Sequence, residues 1–279
     1  MQGAGVNVVT TMHRGGYEKY GARMIESFLA HWPQNATLTV YAEDFSIPAI
    51  PGRLECFDLH ASCPELVRFK EENTESWQRG YVDAHMRKNV AARLQAKYDF
   101  KFDGVKFANK VYAYCQHAKR TEARYMVWLD ADTVTLKPIA PDFITDLGTG
   151  FVLYLGRRFT HSECGFMRFD MSRPNAGKFF EIMQNMYSSG EIYTLNEWHD
   201  SFVFDVVRST ASAAGLIDAV SISAEAVSRH PFIHSPLGQY MDHLKGDQRK
   251  QRGKSSTRDW GNEVFSRKLM RKLRLIEDA

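Results

Sequence analysis

Two aspartates separated by one alanine follow a short apolar run in the middle of this chain. The run Tyr125-Met-Val-Trp-Leu129 leads directly into Asp130-Ala131-Asp132. Such a run, bounded by polar residues, is typical of a buried strand, and strand ends in open α/β sheets lie at the ligand crevice. Two carboxylates there suit Mg²⁺, which binds one or two carboxylates together with water and phosphate, or Mn²⁺, which also prefers such oxygens. The triplet therefore predicts a divalent-cation site.

The same triplet has two other interpretations. Asp-x-Asp also occurs in loops, where aspartates form caps and Asx-turns. The run followed by Asp-x-Asp-x-Val also resembles the opening motif of haloacid-dehalogenase-like phosphatases, which implies Asp130 as nucleophile and Asp132 as acid/base. Those Mg²⁺-dependent phosphohydrolases place the motif near the N-terminus and add a later acidic pair. Here the motif is mid-chain and the only later adjacent pair is Glu277-Asp278, so the phosphatase hypothesis is less favoured.

The composition limits the classes of protein to which the chain can belong. Its 279 residues fit one large domain or two small ones, and 44% hydrophobic with 25% charged residues is ordinary for a globular core. A net charge of +3 is too small to indicate nucleic-acid binding. The four cysteines lack CxxC spacing, so we expect free thiols in a reducing compartment. No apolar run reaches about 18 residues and no signal-peptide pattern is present, so we expect a cytoplasmic protein.

The elements around the triplet predict an α/β fold with a parallel, doubly wound sheet. Val6–Thr11 is typical of a first buried strand, and residues 17–31 have helical spacing that ends before Pro33. A strand, helix and strand with a short return form a βαβ unit. The remaining predictions are strands at 38–41, 54–59, 151–155 and 164–169, helices at 107–118, 179–187 and 200–207, and a charged, less periodic insertion at 65–103. We expect one compact domain.

Six segments in chain order carry a further pattern. They are residues 6–31, residues 106–118, Leu129-Asp-Ala-Asp132, His161-Ser-Glu-Cys-Gly165, Glu197-Trp-His-Asp-Ser201 and Met241-Asp-His-Leu-Lys-Gly246. Together they resemble glycosyltransferases of the GT-A fold, of the glycogenin and lipopolysaccharide-galactosyltransferase type. The resemblance implies a Rossmann-like mixed sheet in one GT-A domain, with a nucleotide-binding half at 1–132, a sugar and acceptor half at 133–246, and a basic C-terminal segment at 247–279.

The resemblance also implies the chemistry. In this family the Asp-x-Asp pair and a C-terminal histidine hold Mn²⁺ or Mg²⁺, which bridges the diphosphate of a nucleotide sugar, usually UDP-linked, and the anomeric configuration is retained. A diphosphate leaving group departs only if its developing charge is stabilised, and a divalent cation does this as a Lewis acid. The predicted partners are therefore a nucleotide-sugar donor and a glycan or glycolipid acceptor. A non-catalytic nucleotide-sugar binding module is the hypothesis from another class.

Two histidines are candidates for the third metal ligand. The family pattern is His-x-x-Gly-x-x-Lys-Pro-Trp, and its Pro-Trp is absent here. His243 is followed closely by Lys245 and Gly246, which offer a cation and an open backbone to the diphosphate. His234, in His234-Ser-Pro-Leu-Gly238, is the alternative. We prefer His243 as the metal ligand.

Further site residues are implied by the family positions. Glu163, Cys164 and Gly165 fall where backbone approaches the donor sugar, or else form a strand with a glycine bulge. Asp200 matches a position beside the anomeric carbon, where it would orient hydroxyls or stabilise oxocarbenium-like charge; its alternative role is helix N-capping. The residues implied in base and ribose recognition are Thr10, Thr11, Met12, Tyr17 as a stacking ring, and Lys106.

The end of the chain is strongly basic. Residues 245–274 contain eleven Lys or Arg and three Asp or Glu, with Trp260, Val264, Leu269 and Leu273 at near-helical spacing. A basic amphipathic helix binds anionic membrane surfaces, which would suit peripheral membrane contact and a lipid-linked acceptor. The alternative is a solvated basic face whose apolar stripe packs on the domain.

Overall fold

Eleven strands are found in the computed structural model, which describes residues 5–82, 97–223 and 230–260. They are β1 (Val6–Met12), β2 (Ala36–Ala42), β3 (Leu54–Asp58), β4 (Arg79–Val82), β5 (Lys97–Asp103), β6 (Tyr125–Leu129), β7 (Thr133–Thr135), β8 (Val152–Leu155), β9 (Glu163–Asp170), β10 (Ala219–Ser221) and β11 (Met241–His243). Seven form the central sheet in the order β10-β8-β9-β6-β1-β2-β3, and β4–β5 and β7–β11 form two small antiparallel pairs.

Ten described α-helices lie between these strands or, for the last two, after β11. They are α1 (Arg14–Gly16), α2 (Ala22–His31), α3 (Leu59–Ser62), α4 (Pro64–Glu72), α5 (Gly104–Ala118), α6 (Phe143–Asp146), α7 (Ala176–Ser188), α8 (Asp200–Ala213), α9 (Asp247–Arg252) and α10 (Thr257–Trp260). A π-helical turn, Tyr17–Gly21, joins α1 to α2. Within the described ranges, no helix is both long and apolar enough to cross a membrane.

The strand order reverses beside β1. Strands β3, β2, β1 and β6 are parallel, but the chain places β2 and β3 on one side of β1 and returns to place β6 on the other. The carboxyl ends of β1 and β6 therefore flank a topological switch point, where open α/β sheets bind their ligands. Asp130 is the first residue beyond β6, at this edge.

Strand β9 runs against its neighbours. It is antiparallel to both β6 and β8, with Leu129 paired to Phe166. Because β9 is reversed, its first residues reach the edge at which β6 ends. The amide of Asp130 donates to the carbonyl of Gly165 at 2.9 Å. The reversal therefore places Glu163, Cys164 and Gly165 beside the aspartates.

Both faces of the sheet are covered by apolar side chains. Along β6, Met126 and Trp128 pack into the core under α5, α7 and α8, whereas Val127 and Leu129 pack into the core under α2. Alternation of side chains along a strand sends successive residues to opposite faces. Asp130 follows Trp128 by two residues, and its carboxylate meets α5 on that face.

The α/β fold class predicted from the sequence is confirmed, including the mixed sheet and its helices on both faces. The predicted helix at 17–31 is a π-helical turn followed by α2, and the other predicted strands and helices are present with ends shifted by a few residues. The insertion at 65–103 contains most of α4 and the pair β4–β5, with residues 83–96 outside the described ranges. Strands β7, β10 and β11 were missed, because three residues carry too little periodicity to be recognised.

Candidate active site

Asp130, Asp132 and His243 lie together at the end of β6. Pairing of β11 with β7 sets His243 opposite Thr133, and the amide of Leu244 donates to the carbonyl of Asp132 at 2.8 Å. The Nε2 atom of His243 lies 3.0 Å from Oδ1 of Asp132 and 3.6 Å from Oδ2 of Asp130. One nitrogen and two carboxylate oxygens, one from each of three side chains, therefore meet at one point.

This donor set fits a small divalent cation. Ligand atoms at about 2.1 Å from an octahedral Mg²⁺ are about 3 Å from each other, close to the two distances from His243. Carboxylate oxygens and imidazole nitrogen are also accepted by Mn²⁺. The side chains of Asp130 and Asp132 are 28% and 13% exposed, so water or phosphate oxygens can complete the coordination shell.

Glu163 and Gly165 support His243 from behind. The Nδ1 atom of His243 lies 3.2 Å from Oε1 of Glu163, an ion-pair contact without the alignment of a hydrogen bond. A Cβ at Gly165 would lie 2.6 Å from Cε1 of the imidazole and 2.7 Å from Nδ1. Real Cβ atoms do not approach other atoms so closely, so the glycine is required for the ring to reach the aspartates.

Lys110 connects the first aspartate to α8. From its place on α5, its ammonium lies 2.8 Å from Oδ1 of Asp130 and 2.8 Å from Oδ2 of Asp200. It also donates to the carbonyl of Cys164 at 2.6 Å, and the indole of Trp128 donates to Asp130 at 2.7 Å. These bonds engage Oδ1 of Asp130 and leave its Oδ2 directed toward His243. The ion pair with Lys110 also fixes the side chain of Asp200, which is the first residue of α8.

Two further lysines contact the acidic cluster, which is formed by the carboxylates of Asp130, Asp132 and Glu163. Lys245 donates to Oε2 of Glu163 at 2.8 Å, and Lys250, on α9, lies 2.9 Å from Oδ2 of Asp132. The ammonium of Lys250 is 4.4 Å from the centre of the Tyr20 ring. Gly246 begins α9 with a φ of 85°, a conformation that glycine adopts without steric cost. The turn thus brings both ammonium groups to the carboxylates.

The buried charged groups strongly shift one another's pKa values. Burial alone would lower the pKa of His243, but the carboxylates of Asp132 and Glu163 outweigh it and raise that pKa to about 10. Burial would raise the pKa of Asp132, yet His243 and Lys250 hold it well below its usual range. Burial also opposes ionisation of Asp200, and Lys110 lowers its pKa despite that. The charged forms of Asp132, Asp200 and His243 are therefore each favoured by their partners.

The other predicted residues lie near the switch point. Thr10 and Met12 are buried, Ala131 is 7% exposed, and the hydroxyl of Thr11 donates to the carbonyl of Tyr41 at 2.7 Å. Tyr17 packs on Phe45 with ring centroids 5.1 Å apart. Within the described ranges, no hydrogen bond or ion pair joins the side chains of Thr10, Thr11, Met12, Tyr17 or Lys106 to the acidic cluster.

The alternative ligand, His234, is occupied elsewhere, because its Nε2 lies 2.8 Å from the carbonyl oxygen of Asp259. Asp200 is the first residue of α8, and His199 is the N-cap, so the N-cap alternative for Asp200 is wrong.

Lys110 and Lys250 were missed by the sequence analysis. Lys110 precedes Tyr114 by four residues and so shares the buried face of its helix, and Lys250 follows Gly246 by four, one residue beyond the lysine position in the family pattern.

No protein-family model matches the sequence, and neither does any curated protein. An active-site mutant of LgtC, a galactosyltransferase, has a TM-score of 0.48 and 10% identity, with 96% of this chain and 94% of that chain covered. Mouse xyloside xylosyltransferase 1 has a TM-score of 0.43 and 9% identity over 78% of this chain and 85% of that one. The bifunctional WbbM glycosyltransferase has a TM-score of 0.41 and 13% identity over 74% of this chain, which spans only 37% of WbbM.

These solved structures are all glycosyltransferases. At 9–13% identity the likeness concerns the path of the chain. The chemistry depends on the side chains at the end of β6.

Proposed function

We propose that this protein is a metal-dependent glycosyltransferase of the GT-A type that moves a sugar from a nucleotide diphosphate donor, UDP-linked, to a saccharide or glycolipid acceptor. The observation that carries the proposal is the meeting of Asp130, Asp132 and His243 at the switch point, with Lys245 and Lys250 beside them. Carboxylates alone would repel a diphosphate. Carboxylates that hold a divalent cation, with two ammonium groups at their rim, would attract one.

The contacts at the end of β6 support the roles that we propose for the side chains. Asp130, Asp132 and His243 would hold Mn²⁺ or Mg²⁺, which when bound neutralises charge on the departing diphosphate. Lys250 and Lys245 would turn from their carboxylates to the phosphate oxygens. Asp200, fixed by Lys110, would accept hydrogen bonds from sugar hydroxyls, with the backbone of Cys164 and Gly165 beside it. Thr10, Thr11, Met12, Tyr17 and Lys106 are proposed to line the nucleotide side of the crevice.

The stereochemistry and the acceptor are further parts of the proposal. Retention of anomeric configuration follows from the motif resemblance, and NMR of the first product formed decides it. A glycolipid acceptor would suit the basic C-terminal segment. Within the described residues Trp260 is 41% exposed at the end of α10, whereas Val264, Leu269 and Leu273 lie outside them.

Thermal unfolding with a panel of nucleotide diphosphates tests the donor class. UDP with Mn²⁺ or Mg²⁺ should raise the midpoint more than ADP, GDP or CDP, because a ligand that binds the folded state stabilises it by mass action. Chelator should remove the effect. The shift should disappear in Asp132→Asn and persist in Asp142→Asn, where the replaced carboxylate is exposed. Equal stabilisation by UDP in excess chelator would overturn metal-bridged binding.

The histidine assignment has a matched pair of variants. His243→Ala should weaken Mn²⁺–UDP binding by about tenfold or more, as expected for loss of metal-site support, while His234→Ala should change it little. The opposite result would assign the third ligand to His234. Release of UDP from UDP-sugars by the wild type separates a transferase from a binding module.

The phosphohydrolase alternative makes a distinct prediction. An Asp130 nucleophile would form an aspartyl-phosphate and release phosphate from aryl phosphates. Asp130 accepts hydrogen bonds from Lys110 and Trp128 at the same oxygen, which suits a fixed ligand better than an attacking group. We expect no phosphate burst. A burst that is lost in Asp130→Asn would replace the transferase proposal.

A further inference from the structure

A second group of side chains with metal-ligating donor atoms, His161, Glu197 and His199, lies within three residues before Glu163 and Asp200 in sequence. The Oε2 atom of Glu197 lies 2.9 Å from Nε2 of His199 and 3.9 Å from Nδ1 of His161. The two imidazoles meet edge to face, with ring centroids 4.3 Å apart. All three donor atoms lie within 4.8 Å of one another. Two nitrogens and one oxygen thus converge from two separate segments of the chain.

The spacing of these donors suits Zn²⁺. Zinc binds imidazole nitrogen and carboxylate oxygen at about 2.0–2.2 Å in tetrahedral geometry, which separates neighbouring donors by about 3.4 Å. The distances from Glu197, 2.9 and 3.9 Å, lie on either side of that value. A set with two imidazoles is also softer than the oxygen-rich pair Asp130 and Asp132, and it favours Zn²⁺ over Mg²⁺ or Mn²⁺.

The outer contacts are those expected around metal ligands. Lys101 holds the other oxygen of Glu197 at 2.6 Å, which leaves Oε2 directed toward the histidines. Phe100 and Phe107 each pack on the His199 ring at 5.9 Å. Ligating carboxylates are themselves commonly hydrogen-bonded in this way, and such support fixes their orientation.

An ion pair between His199 and Glu197 does not account for His161. At 3.9 Å from Glu197 its Nδ1 is beyond hydrogen-bond range, and its hydrogen bond is to the exposed hydroxyl of Thr160 at 3.3 Å.

We propose that His161, Glu197 and His199 form a second metal site, of Zn²⁺ chemistry, separate from the site at the end of β6. Three protein ligands leave a fourth position for water or another ligand. His161 stands two residues before Glu163, and His199 immediately precedes Asp200. An ion bound there would join the loop before β9 to the start of α8 and would fix both carboxylates that flank the first site.

Zinc titration in a background that lacks the first site tests this proposal. In Asp130→Asn/Asp132→Asn, competition with a chromophoric chelator should show one Zn²⁺ per chain, and X-ray absorption should show imidazole ligands. Adding His161→Ala should weaken Zn²⁺ binding by about tenfold or more. Adding Glu197→Gln should have the same effect. Because glutamine keeps the shape of the side chain, misfolding would not explain that loss.

His60→Ala is the matched control, because His60 bonds Glu43 and Lys70 away from this cluster. It should leave Zn²⁺ affinity unchanged. Absence of Zn²⁺ binding in the double-aspartate background would overturn the proposal. So would Zn²⁺ affinity that is indifferent to both His161→Ala and Glu197→Gln.

Discussion

Asp132 is ion-paired through both carboxylate oxygens, with His243 at Oδ1 and Lys250 at Oδ2. A divalent cation held by Oδ1 of Asp132 would compete with Lys250 for the charge of that carboxylate. The ammonium of Lys250, once released, is within reach of a phosphate oxygen. Cation and diphosphate binding should therefore be coupled through this lysine, each favouring the other.

Lys250→Met separates the two steps. Without nucleotide, Mn²⁺ should bind the variant severalfold more tightly, because a competing cation has been removed. In saturating Mn²⁺, UDP should bind more weakly, because one phosphate contact is lost. Isothermal titration of each ligand measures both effects, with Lys254→Met, an exposed position, as the control. Weaker Mn²⁺ binding in Lys250→Met would show that the lysine supports the cation site.

Gly165→Ala tests the packing behind His243. The added Cβ would stand 2.6 Å from the imidazole, so the ring must move away from the aspartates. Mn²⁺–UDP affinity should fall by about tenfold or more, the scale of losing support for a metal ligand. Gly177→Ala is the control, since a Cβ there meets nothing within 4 Å. Unchanged affinity in Gly165→Ala would mean that His243 need not hold its observed position.

The residues of the candidate active site could be predicted only in part from the sequence. The aspartate pair is local, so an apolar run and two carboxylates sufficed to recognise it. Lys110 lies in a helix that the spacing predicts, but its ion pair with Asp200 spans 90 positions, and no local pattern encodes such a pair. The partnership of Lys250 with Asp132 depends in the same way on how α9 folds back.

At the scale of elements, the short strand β11 controls the geometry of the site. Its three residues alternate, so Asp242 and His243 point to opposite sides. Asp242, fully buried, accepts from the amide of Ser255 at 2.6 Å and from its hydroxyl at 2.7 Å. These bonds fasten the turn after α9 to the strand that carries His243.

Asp242→Ala should destabilise the protein, because it leaves the buried polar groups of Ser255 without their acceptor. Hydrogen bonds to a charged group contribute about 1.5–3 kcal/mol each, so loss of the two should lower the free energy of unfolding by about 3–6 kcal/mol. Urea denaturation measures it. Asp247→Ala is the control, because that carboxylate is exposed and pairs with Lys19 at the surface. A loss equal to that of the control would contradict a structural role for Asp242.

Long elements were predictable and short ones were not. The helices around Phe28, Val111 and Phe179 repeat apolar residues over several turns, and burial of those faces fixes them. Strands β7 and β11 are three residues long and exist because each pairs with the other. Their formation depends on a partner far away in sequence, which no local pattern reveals.

At the scale of the whole molecule, a buried histidine links β1, β2 and α5. The Nε2 atom of His117 lies 2.7 Å from Oδ1 of Asn7, and Nδ1 lies 3.4 Å from the hydroxyl of Tyr41. Burial, with the charge of Arg120, lowers the pKa of His117 to about 4. The folded chain thus holds this imidazole neutral.

Stability should therefore fall on acidification. Between pH 6.5 and 4 the unfolded chain takes up a proton at His117 that the folded chain refuses, so acid favours unfolding. Above pH 6.5 the imidazole is neutral in both the folded and the unfolded chain. By pH 4 its titration lowers the free energy of unfolding by about 3 kcal/mol. His117→Gln should flatten this part of the profile in urea denaturation at pH 7 and 5. Identical slopes for variant and wild type would show that His117 is not the group responsible.

The parts of the candidate active site are made at very different times during translation. His243 is 111 positions from Asp132 and Lys245 is 82 from Glu163. The four parallel strands can pair on the ribosome while β11 is still to be synthesised, and long-range contacts of this kind form late. Until then, a nascent chain would carry exposed aspartates and no third ligand. Under the proposed function, nucleotide affinity would thus be acquired only after synthesis has passed position 250.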